Sequence, residues 1–233
     1  MKQLLMCGKN SVLEALANNL KVEKVYLLNE ENAKYLPAKT SYEVKDLNFF
    51  RNLTKENHQG FLALIKPIET SDINLLIKKK PNAVLVLDHI QDPHNLGAII
   101  RTANAAGIKD IILPKDNAAD INSSTVLKIS SGGFVGLSFY KVNSLSATIT
   151  KLQKKGYWAY ATTLDEKAVP HTDVKYNFPS LIVMGNEGTG VSKSVLSVID
   201  QSVYIKQFGT VQSLNVSVAT GIILFDFIKQ QNE

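Results

Sequence analysis

The sequence predicts an α/β protein whose larger part is a mainly parallel sheet covered by helices on both faces. Short, continuous apolar runs such as AVLVL (83–87) and LIVM (181–184) have the length and composition of fully buried strands. After residue 83 these runs alternate with helical patterns, as they do in βαβ units. The 233 residues are enough for one large domain or two modest ones with a sizeable core.

The first part of the chain has the pattern of a small, separate α/β module. A helix is expected over 11–20, a strand over 24–28, a helix over 48–53 and a closing strand over 61–65. The segment that follows is rich in lysine and proline, and only a small helix around 73–77 is expected in it. We therefore expect domains at 1–66 and 83–233, joined by a linker at 67–82.

In the second part, strands and helices alternate to the end of the chain. Strands are expected at 83–87, 110–113, 140–142, 157–162, 181–184 and 203–205, and helices at 96–106, 123–130, 145–155, 192–198 and 213–229. Gly107 stands where the first of these helices would end.

Composition and charge narrow the function classes. The formal net charge is +5, with 13 Lys and Arg against 9 Asp and Glu in residues 1–80 and 13 against 12 afterwards, which favours an anionic partner for the first part. One cysteine, Cys7, predicts a cytoplasmic protein without an internal disulfide, and the four histidines lack metal-ligand spacing, so no metal is expected. No run approaches the roughly 18 apolar residues of a membrane span, and the N-terminal apolar stretch is too short for a signal peptide.

Three loops that follow strands carry polar residues to one edge of the sheet, where α/β proteins bind ligands. The first, residues 88–107, places Asn95 as a helix cap and Arg101 two turns into that helix. The second, MGNEGTG (184–190), holds Glu187 among three glycines that let the backbone approach a ligand. The third, SLNVSVATG (213–221), opens the last helix with Ser213 and Asn215.

Each loop also has a purely structural interpretation. Asn95 can be only a cap and Arg101 a surface residue, the glycine loop a tight turn with a solvated Glu187, and the third segment a capped buried helix. ATP-dependent phosphoryl transfer is disfavoured because the glycine loop lacks the P-loop lysine and spacing. A serine hydrolase fits poorly, because no nucleophile elbow surrounds Ser213 and His94 is its one candidate partner.

Taken in order, DPHNLGAIIRTANAAG, IVMGNEGTG and SLNVSVATG resemble the three signature motifs of the SpoU (TrmH) branch of the SPOUT RNA 2′-O-ribose methyltransferases. The likeness covers residues 83–230. GKNSVLEAL (8–16) and HQGFLALI (58–65) resemble the small substrate-binding domain of the 23S rRNA guanosine-2′-O-methyltransferases, the RlmB subgroup, which is related to RNA-binding ribosomal proteins. The resemblance implies a trefoil knot in the C-terminal domain, an exception to the usual absence of knots.

The resemblance also implies the cofactor, the partners and the site. S-adenosylmethionine would lie in the knot, and the chain would form a homodimer with sites near its interface. The implied cofactor-binding residues are Gly185, Ile205, Leu214, Asn186, Gly188 and Thr162, and the implied catalytic residues are Asn95, Arg101, Glu187, Ser213 and Asn215. The family pattern Ile-Pro-Met reads Ile205-Lys206-Gln207 here, which retains the cofactor-binding isoleucine and offers Lys206 to an RNA phosphate.

The activity implied is methylation of a ribose 2′-hydroxyl in RNA, with a guanosine of 23S rRNA as the favoured substrate. The same reaction on tRNA is the first alternative, and the basic N-terminal module argues against it. A non-catalytic RNA-binding or ribosome-assembly factor on the same scaffold is the second, and the complete catalytic set argues against that.

Overall fold

A computed structural model of the chain describes residues 3–18, 20–186 and 188–232. The amino-terminal part is a four-stranded mixed sheet with its helices. Its elements are β1 (Leu4–Cys7), α1 (Lys9–Ala17), β2 (Val22–Leu27), a 3₁₀ helix (Glu30–Tyr35), β3 (Tyr42–Val44), α2 (Leu47–Leu53) and β4 (Phe61–Ile65). β4 pairs antiparallel with β1 and β2, and β3 extends the sheet parallel to β2. The expected closing strand at 61–65 is confirmed, whereas β1 and β3 were not predicted.

The rest of the chain forms a parallel α/β sheet. Its elements are α3 (Ile73–Lys79), β5 (Ala83–Leu87), α4 (Pro93–Ala105), β6 (Asp110–Pro114), α5 (Ser124–Ser130), β7 (Ser138–Val142), α6 (Leu145–Gln153), β8 (Trp158–Thr162), β9 (Val169–Pro170), a 3₁₀ helix (His171–Asp173), β10 (Ser180–Met184), α7 (Lys193–Leu196), β11 (Gln201–Tyr204) and α8 (Val216–Asn232). The strand order is β7-β6-β5-β10-β8-β11-β9, and every pair is parallel. The predicted fold class is therefore confirmed, while the knot stays a prediction.

Both faces of the parallel sheet are buried, as the continuous apolar strands predicted. One face packs against α4, α5 and α8, with Ile99 and Leu224 fully buried there. The other packs against α3, α6 and α7, where Ile149 and Val195 are buried. Successive residues of one strand divide between the two clusters, for example Leu85 and Val86 of β5.

The start of α4 differs from the prediction, and the reason is its cap. Asp92, not Asn95, is the N-cap: its side chain accepts a hydrogen bond from the His94 N–H at 2.9 Å, and Pro93 occupies the first helical position. The expectation that Asn95 caps this helix is wrong. Asn95 lies inside the first turn and is buried. The predicted end is confirmed, because Gly107 follows the helix with a φ of 77°.

The last helix begins later than predicted. α8 starts at Val216, so Ser213 and Leu214 precede the helix instead of opening it. Asn215 caps it, because the Asn215 Oδ1 accepts from the Ser217 N–H at 2.9 Å. Of the β-branched residues that follow, Val216 is buried, so tertiary packing outweighs its modest helix propensity, whereas Val218 is exposed.

The expected linker, residues 67–82, is held against the parallel sheet by specific contacts. The Asn122 side chain accepts from the Ile68 N–H at 2.7 Å and donates to the Ile68 carbonyl at 3.2 Å. Thr70 bridges to Phe139 of β7. The two parts of the chain also meet directly where α5 packs on β1, and Lys128 of α5 forms an ion pair of 3.3 Å with Glu56. The domain bounds 1–66, 67–82 and 83–233 stay predictions.

A polar network at the amino edge of the sheet secures α3. The buried Asp110 accepts from the Lys79 ammonium at 2.8 Å and from the Tyr140 hydroxyl at 2.9 Å. The Tyr157 hydroxyl donates to the Pro81 carbonyl at 2.8 Å. Burial raises the pKa of both Tyr140 and Tyr157 to about 12, and the Asp110 charge acts in the same direction.

We expect the Tyr157→Phe protein to lose less stability than the wild type as pH rises from 10 to 12. The unfolded tyrosine ionises near its ordinary pKa of 10.0, whereas the folded one stays neutral until about 12, so unfolding becomes more favourable across this interval. At neutral pH the variant loses one hydrogen bond, about 1 kcal/mol. Urea denaturation across this range gives both quantities, and equal pH slopes for the two proteins would contradict the expectation.

Candidate active site at the carboxyl edge of the parallel sheet

A cavity of about 450 Å³ opens where β8, β10 and β11 end and before α8 begins. All six residues that the sequence assigned to cofactor binding line it: Thr162, Gly185, Asn186, Gly188, Ile205 and Leu214. Ser213, from the catalytic set, lines it as well. The structure thus brings the second and third loops together around one space.

The glycine loop closes on itself through a close backbone approach. A Cβ at Gly185 would lie 2.3 Å from both the Gly190 carbonyl carbon and the Val191 nitrogen. Asn186 and Gly190 exchange backbone hydrogen bonds of 3.0 and 2.9 Å across the loop. Glycine at 185 is therefore required by the loop's own packing, a stronger reason than the open approach to a ligand that the sequence suggested.

The Asn186 side chain holds this loop against the first loop. Its Nδ2 donates to the His89 carbonyl at 2.8 Å, and its Oδ1 accepts from the Gly188 N–H at 2.8 Å. Nearby, the Thr162 hydroxyl donates to the Val183 carbonyl at 3.4 Å. These side chains shape the cavity, which leaves its main-chain groups and apolar walls to meet a ligand.

A buried carboxylate that the sequence analysis did not single out joins the same loops. Asp88 is 1% exposed and follows β5 directly. One of its oxygens accepts from the Ser192 N–H at 2.7 Å, and the other lies 2.5 Å from the His89 Nδ1. An acidic residue immediately after a buried apolar strand, at the ligand edge of the sheet, was the available signal.

The first and third loops meet through two asparagines of the expected catalytic set. The Asn215 Nδ2 donates to the Asn95 Oδ1 at 2.8 Å. Asn95 is 9% exposed, whereas Asn215 is exposed and caps α8. Both amides are thereby fixed in orientation beside the segment that carries Ser213.

Arg101 lies apart from these groups. It is exposed on α4, six residues beyond Asn95 and so about 9 Å farther along the helix axis. It is absent from the cavity wall within the described part of the chain, and its side chain makes no ion pair or hydrogen bond there. Glu187, the fifth expected catalytic residue, lies outside the described residues.

The cavity wall is uncharged over the residues that the structure describes. Main-chain amides, hydroxyls and carboxamides supply its polar groups. Among the lining residues that sequence reasoning missed, Thr163 and Leu164 follow β8, Tyr204 ends β11, and the loop between β11 and α8 contributes Gln207 and Gln212. Within the same described ranges, no group of three or more His, Cys, Asp and Glu side chains is placed to hold a metal ion.

Two family models match the chain. The model of the SpoU rRNA Methylase family matches residues 82–225, which include the whole cavity. The chain belongs to this family. A second model, described as RNA 2′-O ribose methyltransferase substrate binding, matches residues 5–71 and so the four-stranded sheet. The resemblance stated from the motifs is confirmed.

Known relatives agree with this assignment. An uncharacterized tRNA/rRNA methyltransferase of Mycoplasma pneumoniae is 38% identical, covering 94% of each chain. A 23S rRNA (guanosine-2′-O-)-methyltransferase of Acinetobacter baylyi is also 38% identical, over 75% of this chain and 72% of that protein. The structure of an rRNA methyltransferase from Sinorhizobium meliloti with bound AdoMet is 26% identical, with a TM-score of 0.80 over 98% of this chain and 87% of that one.

We expect Gly185→Ala to destabilise the protein by about 1–3 kcal/mol, because the added methyl group meets backbone that cannot move aside. Gly188→Ala is the matched control in the same loop: its nearest neighbour would be the Asn186 Oδ1 at 3.6 Å, an ordinary contact. Chemical denaturation of both variants checks this. Equal stabilities would show that the loop does not need its close approach.

Proposed function

We propose that this SpoU-family RNA methyltransferase transfers a methyl group from S-adenosylmethionine to a ribose 2′-hydroxyl, and that its substrate is a guanosine of 23S rRNA. One observation carries the proposal: the six expected cofactor residues and Ser213 line a single cavity. The cavity volume of about 450 Å³ lies in the range of sites for small ligands and cofactors.

The cavity's chemistry fits this cofactor. Ile205, Leu214 and Val203 offer apolar contact to an adenine ring, while main-chain groups of the glycine loop offer hydrogen bonds. A phosphorylated nucleotide would lack a countercharge among the described lining residues, whereas a sulfonium cation meets no positive side chain there. When bound, S-adenosylmethionine supplies a methyl group that is already electrophilic.

The chain's own residues then have to position and activate a weak nucleophile. Asn215 and Asn95, held together at 2.8 Å, are proposed to orient the ribose, and Ser213 to meet it at the cavity wall. Arg101, with its guanidinium free of ion pairs in the described chain, is proposed to bind the adjacent phosphate and polarise the 2′-hydroxyl. Glu187 is proposed to steady an asparagine of this set or Arg101.

A homodimer is part of the proposal, and α8 supports it. Val218, Ile222 and Phe225 recur at helical spacing and are 52%, 36% and 54% exposed, which leaves an apolar stripe uncovered in a single chain. We propose that a second copy covers this stripe and that Arg101 completes the cavity of the partner. The position of Arg101 outside its own chain's cavity wall supports this arrangement.

The substrate is proposed from two observations. The substrate-binding model covers the amino-terminal sheet, and the relative from Acinetobacter baylyi bears the name of a 23S rRNA guanosine enzyme. Methylation of tRNA is the second candidate, because the relative from Mycoplasma pneumoniae is named for both RNAs. A cytoplasmic location follows from a ribosomal substrate. None of the described helices is long and apolar enough to cross a membrane.

We expect methyl transfer from labelled S-adenosylmethionine to unmodified 23S rRNA fragments, and little to tRNA. Arg101→Ala should lower kcat by about 10²- to 10⁴-fold, because the hydroxyl loses its polarising group, while calorimetry should find cofactor binding unchanged. Ribose-methylation mapping identifies the nucleotide. Transfer to tRNA alone would contradict the substrate, and an Arg101→Ala protein as fast as wild type would contradict the role of Arg101.

We expect Phe225→Glu to convert a dimer into an inactive monomer, since the charge would be buried in the proposed interface. Leu75→Glu is the matched control: Leu75 is 57% exposed on α3 and should tolerate the change. Light scattering measures the mass. Gly185→Ala should also disrupt the cavity that Gly185 lines. Mixed dimers of Arg101→Ala and Gly185→Ala chains should then regain up to half of the activity if Arg101 serves the partner's cavity, whereas no regained activity would mean that Arg101 acts in its own site.

A further inference from the structure

We propose that Phe208 is a stacking platform for a nucleobase of the RNA substrate, with Lys206 holding the neighbouring phosphate. The inference deepens the proposed function and rests on it. It assigns a base-binding position at the rim of the cavity to two residues outside the expected catalytic and cofactor sets.

Phe208 is the most exposed large apolar side chain in the described part of the chain, at 88%. It lies in the loop between β11 and α8, and its neighbour Gln207, together with Gln212 and Ser213 of the same loop, lines the cavity. A ring this exposed buries almost no area within the fold, so packing of the chain does not explain it. Its place beside the cavity points to a ligand surface.

The chemistry around the ring matches a nucleotide. The Lys206 ammonium lies 5.4 Å from the Phe208 ring centroid, and it makes no ion pair within the described residues. A base stacked on an aromatic ring places its phosphates within reach of nearby cations, the combination that single-stranded RNA sites use.

A second copy of the chain is the competing occupant, and the composition of the loop disfavours it. Along the sequence Phe208 is flanked by Lys206, Gln207, Gly209 and Thr210. The cores of protein interfaces are depleted in lysine and contain contiguous apolar groups. The stripe on α8 has that character, whereas the exposed apolar groups of this loop are Phe208 and the smaller Val211, separated by Gly209 and Thr210.

Kinetics with RNA test the stacking. Phe208→Ala should raise the KM for RNA about ten-fold or more, with a smaller effect on kcat and none on cofactor affinity. Phe208→Tyr should stay close to wild type, whereas Phe208→Leu should behave like Phe208→Ala, because leucine is apolar but has no π face. Trp158→Ala is the matched control: this exposed aromatic begins β8, about 13 Å from the cavity end of the same strand. A wild-type KM for Phe208→Ala, or rescue by leucine, would overturn the stacking.

Lys206 is tested by its salt dependence. Lys206→Gln should weaken RNA binding and lower the slope of log affinity against log salt concentration by about one unit, while Lys206→Arg should keep both. An unchanged slope would overturn the phosphate contact.

A fluorescence measurement detects stacking without relying on turnover. Trp158 is the single tryptophan of the chain, so the double variant Trp158→Phe/Phe208→Trp carries its one reporter at position 208. Titration with a 23S rRNA fragment should quench this tryptophan and leave Trp158 of the wild-type protein unchanged. Absence of quenching with bound RNA, or a change of oligomeric mass in Phe208→Ala, would overturn the proposal.

The outcomes separate the two levels of inference. If the wild-type protein transfers no methyl group to any RNA, the proposed function is wrong, and the tryptophan titration still decides whether RNA stacks at 208. If the wild-type protein is active and the Phe208 variants are unaffected, only the stacking is wrong.

Discussion

The geometry of the cavity depends on the hydrogen bonds of Asp88, whose side-chain carboxylate is buried. The Asp88 backbone N–H donates to the Met184 carbonyl at 2.8 Å, which continues the pairing of β5 and β10 one residue beyond the strands. Its side chain then accepts from the Ser192 N–H, on the far side of the glycine loop. Asp88 thus holds both ends of the glycine loop, and the segment between the two ends is kept compact by the close approach of Gly185 to Gly190. Burying a carboxylate is costly without hydrogen-bond donors, so the burial of Asp88 and the fixed position of the loop depend on each other.

The polar groups inside the site differ in charge from those around it. Inside, the described lining residues are neutral, and several of their polar side chains are already committed to the loops, as Asn186 is to His89. Outside, Arg101 and Lys206 are cations without ion pairs among the described residues. A neutral interior suits a cofactor held by shape and main-chain groups, whereas free cations on the surface suit a polyanion. The same division explains why the net charge alone said little about the site.

Sequence reasoning succeeded where local pattern and burial coincide. β4 and β5 were predicted to the residue, because each is a short apolar run bounded by glycine or polar residues. It failed at β1, β3 and β9, which have four, three and two residues and exist through pairing with distant strands. The start of α4 was misplaced because Asp92 and Asn95 are both good caps, although Pro93 at the first helical position was a local signal for Asp92. The six cofactor residues came from the family resemblance, whereas the role of Asp88 depends on Ser192, 104 residues away.

The packing of the amino-terminal part against the rest of the chain affects how RNA would reach the site. The turn after α5 is packed between the amino-terminal part and α4: a Cβ at Gly132 would lie 2.7 Å from the Glu14 side chain, and one at Gly133 would lie 2.8 Å from the Arg101 Cα. Asn104 of α4 fastens this turn by donating to the Gly133 carbonyl at 2.8 Å. The sheet matched by the substrate-binding model is therefore coupled to the helix that carries Arg101 through a closely packed turn, which meets the Glu14 side chain on one side and the α4 backbone on the other. Under the proposed dimer, in which Arg101 serves the partner's cavity, the substrate-binding part of one chain would present RNA to that same cavity. RNA at each site would then be held by both chains, by the substrate-binding part and Arg101 of one and by Ser213 and Phe208 beside the cavity of the other.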